Sequence, residues 1–101
     1  MHMHVITFKL DGIDDAAYQA HAEQAAPALA AVPGLRAKIW LANREANTYG
    51  GIYTWDDVAA MRAYQGGKIF RGLQANPHLI DVTVRDFSVL AGPTEVTRGG
   101  Y

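Results

Sequence analysis

The chain has 101 residues and a formal net charge of −1 at pH 7; half of its residues are hydrophobic, about a fifth are charged and none is cysteine. That balance fits one globular domain over residues 1–101 and gives no electrostatic case for nucleic acid, whose binding rests on clustered Lys and Arg. Without cysteine there can be no disulfide, no thiolate nucleophile and no cysteine-based zinc site. No apolar run reaches the length of a membrane span, and Met1-His2-Met3-His4 lacks the regions of a signal peptide, so a cytoplasmic setting is expected.

Residues 4–10 alternate as a strand, with His4, Ile6, Phe8 and Leu10 on one face and Val5, Thr7 and Lys9 on the other. Asp11-Gly12 breaks it, and Asp14 is a good N-cap, with Asp15 suited to the positive end of the helix that follows. That helix carries Tyr18, Ala22, Ala25, Leu29 and Val32 as one buried stripe. Pro27 predicts a kink or restart, and Pro33-Gly34 ends the helix. A strand follows with Arg36, Lys38 and Trp40 on one face and Leu35, Ala37, Ile39 and Leu41 on the other. The polar stretch 43–48 reads as a hairpin loop. The returning strand puts Tyr49, Gly51, Tyr53 and Trp55 on one face. Gly50-Gly51 leaves it bare, which marks a bulge or a close approach by a ligand or another backbone.

Asp56-Asp57 offers a second N-cap, and Val58, Met61 and Tyr64 recur at helical spacing. Gly66-Gly67 stops this helix. Residues 68–74 predict another short one, with Ile69, Phe70 and Leu73 facing in, ended by Asn76-Pro77. Residues 78–90 read as a long strand with a bulge near Asp86-Phe87, and residues 91–101 as a tail.

Strand, helix, strand, strand, helix, strand predicts a ferredoxin-like α+β fold: an antiparallel sheet of order 4-1-3-2 with helices on one face. The first, second and last strands carry apolar residues on both faces. A second copy of the sheet would cover the open face, so a homodimer joined through its sheets is expected.

Pro33-Gly34-Leu35, Lys38-x-Trp40 and Gly50-Gly51-x-Tyr53-x-Trp55-Asp56 resemble the signature of YdhR-type proteins of the dimeric α/β-barrel superfamily. Asn76-Pro77-His78 and the strand from Asp81 to Phe87 are similar to the end of such sequences. The resemblance implies a homodimeric barrel and a monooxygenase activity by analogy with cofactor-free relatives that oxidise polycyclic phenols. Fold alone does not fix function here, since haem-degrading enzymes, cyclases and isomerases share it.

Cofactor-free oxygenation asks a protein for a dry, shaped pocket, a base and a donor for a developing oxyanion. The resemblance makes Trp55 match the tryptophan that enters the pocket of antibiotic-type monooxygenases; otherwise it seals the sheet against the second helix. Tyr53 and Trp40 either stack on a flat ligand or fill the barrel. Tyr64 can anchor a substrate oxygen. His78, opening the last strand after a helix-ending proline, ranks first as base, and His21 flanks the buried stripe of the first helix. Lys38 and Arg85, with Arg36, could neutralise an oxyanion or carboxylate, or simply lie at the rim. His4 falls at the opposite end of the first–last strand pair from His78, so the two form no dyad. His2 and His4 share a face, but no third ligand is in view, so no metal is expected; that no cofactor is needed is what the resemblance to cofactor-free relatives implies.

The expected protein is a homodimeric, cofactor-independent monooxygenase of an electron-rich aromatic or polyketide-like compound. His78, Trp55 and Tyr53 would be its catalytic residues, and Trp40, Tyr64, Lys38, His21 and Arg85 would bind substrate. Two other readings keep the fold: an aldol-type cyclase or isomerase, and a non-catalytic dimer that binds hydrophobic ligands.

Overall fold

A computed structural model of the protein describes residues 1–99. Its elements are β1 (His2–Leu10), α1 (Asp15–Ala30), β2 (Leu35–Asn43), β3 (Thr48–Trp55), α2 (Val58–Gln65), α3 (Lys68–Ala75), β4 (Leu79–Ser88) and α4 (Ala91–Val96). The strands form one antiparallel sheet in the order β2-β3-β1-β4, the ferredoxin-like arrangement expected. The expected N-caps are in place. Asp14 accepts from the Ala17 N–H and Asp57 from the Ala60 N–H, each at 2.8 Å. Asp15, in the first turn of α1, also takes a hydrogen bond from Tyr49 and an ion pair from Arg44, fastening the helix start to the β2–β3 hairpin.

Burial follows period two along β1, where His2, His4, Ile6, Phe8 and Leu10 are all buried. The same inner face takes Tyr49, Tyr53 and Trp55 from β3, and α1, α2 and α3 close over it with Tyr18, Leu29, Met61, Tyr64 and Phe70.

Four expectations need correction. Helix α1 runs through Pro27 without a restart; that residue is exposed, so the carbonyl left unpaired one turn earlier is on the solvent side. The bulge in β4 falls at Asp81-Val82 and not near Asp86-Phe87. Thr7 pairs with Thr83 and Lys9 with Ile80, so two residues of β4 face Phe8 alone, and Asp81 takes a positive φ of 52° to allow it. A second slip, between Leu35 and Ala37, turns Leu35 inward opposite Trp55, off the face of Ala37 and Ile39. Ile69 faces only partly inward: it lines the space between helices and sheet, yet is 36% exposed. Beyond β4 the expected tail contains the short helix α4, while Gly100 and Tyr101 lie outside the described residues.

At the centre of the inner face stands a row of parallel rings. His4 stacks on Tyr53 at 4.3 Å and 11°, and on Trp55 at 5.6 Å and 8°. The Trp55 indole can only donate, and its Nε1–H meets His4 Nδ1 at 2.7 Å, which places the imidazole proton on Nε2. Burial opposes a charge on this ring and lowers its pKa from 6.5 to about 4.

Because the native state resists protonating His4, the unfolded chain binds the extra proton between pH about 6.5 and about 4. Stability is therefore lost as pH falls through that window, by up to about 3 kcal/mol from this residue. Urea unfolding at neutral pH and near pH 4 measures it. We expect a His4→Asn protein, less stable at neutral pH, to lose markedly less on acidification than the native chain.

Candidate active site

The sheet and the helices do not close completely. Between the inner face and α1, α2 and α3 lies a cavity of about 320 Å³, with apolar walls from Phe8, Tyr18, Ala25, Leu29, Leu73 and Leu79. Its polar groups come from Lys38 on β2, Tyr53 on β3, Tyr64 on α2, His21 on α1, and Lys68 and Asn76 at the two ends of α3. Trp40 and Tyr18 also line a second hollow of about 300 Å³, between α1 and the outer part of β2. We take the first as the site because the buried polar groups converge there.

The β2–β3 register places Lys38 opposite Tyr53 and Trp40 opposite Gly51. Gly51 supplies the space that the lysine needs. A methyl group there would come within 2.6 Å of Lys38 Cε and 3.3 Å of the Tyr53 ring, so the bare strand is where the lysine stem crosses. The close approach expected at Gly50-Gly51 is thus made twice. Gly51 is approached by a side chain, and Gly50 lies against the Ile6 carbonyl of β1 with a φ of +151°.

Carried across the glycine, Lys38 Nζ rests 3.3 Å from the Trp40 ring centroid and 4.5 Å from that of Tyr53. Among the described residues it makes no ion pair, and no carboxylate lines the cavity. The ring faces favour an ammonium, but removal from water opposes it, and burial brings the Lys38 pKa from 10.5 down to about 7. Near neutrality this amine exists in both protonation states.

The tyrosines behave oppositely. Tyr64 O–H points to the Tyr53 oxygen at 3.5 Å; burial raises the Tyr64 phenol above its ordinary value and raises that of Tyr53 much further, where the neighbouring Tyr64 also opposes ionisation. Both hydroxyls stay protonated and can donate to an incoming oxygen. One wall of the cavity therefore holds a weak base and two neutral donors.

The sequence-predicted residues divide in two. Lys38, Trp40, Tyr53, Tyr64 and His21 come together around the cavity, with His21 exposed at its edge. Trp55 stands behind Tyr53 and Tyr64, wholly buried and held by His4. His78 does not line the cavity. Its Nδ1 is 2.8 Å from the Asp11 carbonyl, and its own carbonyl takes the Asp11 N–H, so it clamps the β1–α1 loop. Arg85 pairs with Val5 on the opposite face of the sheet. His2 binds Asp86 at the far end of β1, and among the described residues no three His, Asp or Glu gather as a metal site. Sequence reasoning missed Lys68, Asn76 and the tie from His4 to Trp55; the shared inner face of His4 and Trp55 was the available signal.

Comparison with known proteins agrees with this architecture. The family described as "Putative mono-oxygenase ydhR" matches residues 3–100. No curated protein matches the chain. Among solved structures, the NE2512 protein of unknown function from Nitrosomonas europaea superposes with a TM-score of 0.76 at 22% identity, over 89% of each chain. SnoaB from Streptomyces nogalater, a cofactor-independent oxygenase, gives 0.70 at 23% identity over 88% of this chain and 92% of its own. MhuD from Mycobacterium tuberculosis, a haem degrader seen with two haems bound, gives 0.72 at 16% identity over 89% and 96%. At these identities the structural likeness speaks for the fold alone. The family match spans nearly the whole sequence, and the chain is a member of the ydhR family.

Proposed function

We propose that the protein is a cofactor-independent monooxygenase of an electron-rich aromatic or polyketide-like small molecule, oxidised in the cavity beside Lys38. The observation that carries this reading is an amine of lowered basicity in an apolar wall, next to two phenols that stay protonated. A phenol or anthrone would give its proton to neutral Lys38. The ammonium so formed, with the Tyr53 and Tyr64 hydroxyls, would then hold the developing oxyanion. The carbanion form passes one electron to dioxygen, the two radicals combine to a peroxide anion that takes the proton back from the Lys38 ammonium, and loss of water from the hydroperoxide leaves the quinone. Trp40 and Tyr53 would stack on the flat substrate, and Trp55 would fix Tyr53 from behind. The activity of SnoaB supports the reaction type by analogy only.

We further propose that two copies join through the outer face of the sheet, and that the dimer is cytoplasmic. Among the described residues no helix packs on that face. It carries Ile39 at 61% and Phe87 at 51% exposure beside Met3, Val5, Ile52 and Ile80, an apolar set of the kind that marks an interaction surface. The lack of cysteine suits a reducing compartment, and among the described residues no helix is long and apolar enough to cross a membrane.

Oxygen uptake with anthrones, hydroquinones and naphthols, chelator present, tests the activity. We expect uptake coupled to quinone formation, with kcat/KM rising with pH through about 7 as Lys38 loses its proton and level above it. Lys38→Met should lower it by roughly a hundredfold or more. Turnover that ignores dioxygen would favour a cyclase, and binding without turnover a ligand carrier. For the assembly, light scattering should find a dimer in the native protein and mostly monomer in Ile39→Asp, since the aspartate would bury an unpaired charge in the proposed interface. A native monomer at high concentration would contradict it.

A further inference from the structure

We propose that Lys38 is also a covalent site, at which its side-chain amine condenses with the carbonyl group of a flat aromatic aldehyde or ketone to form an imine. Three features of the wall converge on this. The stem of Lys38 is laid across the strand by Gly51, so the nitrogen is held in the cavity wall instead of ranging through solvent. Among the described residues no carboxylate lines the cavity to bind the amine and occupy its lone pair. The Trp40 and Tyr53 rings lie 3.3 and 4.5 Å from the nitrogen, where they would stabilise the positive charge of a protonated imine as they do an ammonium.

The nitrogen lone pair attacks the carbonyl carbon as the C=O π pair moves to oxygen; nitrogen loses a proton, oxygen gains one, and a carbinolamine results. Protonation of that hydroxyl and loss of water leave nitrogen doubly bonded to carbon and positively charged. Nothing is oxidised or reduced. The apolar lining from Phe8, Leu29 and Leu79 limits the water that would hydrolyse the product. The reaction needs the neutral amine, and burial makes that form available near pH 7. The titratable groups facing this nitrogen across the cavity are His21 and Tyr18 on α1, Tyr53 on β3, Tyr64 on α2 and Lys68 on α3, none of them anionic at that pH.

The chain holds three lysines, which makes the test selective. Lys68 is exposed, and Lys9 is hydrogen-bonded to the Ala46 carbonyl and the Thr48 hydroxyl. The native protein is incubated with 2-naphthaldehyde and cyanoborohydride, whose hydride reduces the imine to a stable secondary amine, and the adduct is mapped by peptide mass spectrometry. We expect Lys38 to be labelled at least tenfold faster than Lys9, Lys68 or the Met1 amine. The rate should rise with pH through about 7, and naphthalene should protect Lys38. Lys38→Arg keeps the cation but cannot form the imine; it should retain the circular dichroism of the native fold and lose the fast adduct. Labelling spread evenly over the amines, or slowest at Lys38, would overturn the proposal. Oxygen uptake is followed in parallel: labelling without uptake leaves the imine site standing while the oxygenase reading fails, and uptake without selective labelling removes the imine alone.

Discussion

Placing an amine in an apolar wall without a counter-charge is the constraint on which the rest of this site depends. A lysine buried so must either carry its charge at a cost or give up its proton, and Lys38 stands near the balance point. Several parts of the chain act together to hold it there. Gly51 removes the side chain that would block the stem, and Trp40 and Tyr53 offer ring faces where a carboxylate would have raised the pKa. Tyr53 is fixed in turn by the parallel row running through His4 to Trp55, locked by the indole hydrogen bond. The packing that stabilises the inner face of the sheet is thus also what orients the reactive wall.

The two faces of the sheet divide the work. On the inner face, helices α1, α2 and α3 close over large aromatics but stop short of filling the space, because α1 presents small side chains, Ala22 and Ala25, between Tyr18 and Leu29. That shortfall is the cavity. The outer face presents Ile39 and Phe87 to solvent and, among the described residues, has no helix over it, which is what supports the proposed second copy there. Solved structures that share this fold include a cofactor-independent oxygenase and a haem degrader. The fold therefore provides the hollow and the side chains along its wall decide the chemistry.

Much of this was legible in the sequence because it rests on local rules. Asp14 and Asp57 announced helix starts, alternation fixed the face of every residue from His2 to Leu10, and Gly50-Gly51 marked a close approach. What escaped depends on neighbours distant in sequence. The slip at Leu35 and the bulge at Asp81-Val82 arise from pairing with β3 and β1, which no single strand reveals. His78 has the ordinary credentials of a base, yet the β1–α1 loop takes both its carbonyl and its ring nitrogen. Lys38 could be read as a substrate contact or a rim charge but not as a base, because its basicity depends on the glycine of one strand and the helices above, and burial is not written in its own residue type.

The most direct test of the account is the titration of Lys38 itself. With lysine labelled at the ε-carbon, the NMR shift followed against pH reports the ionisation of each of the three side chains, and Lys38→Arg assigns the signal. Lys38 is expected to titrate near pH 7, with a signal that moves when an aromatic ligand enters the cavity. A midpoint near the ordinary value of 10.5, unmoved by ligand, would contradict it and leave the cavity without its base.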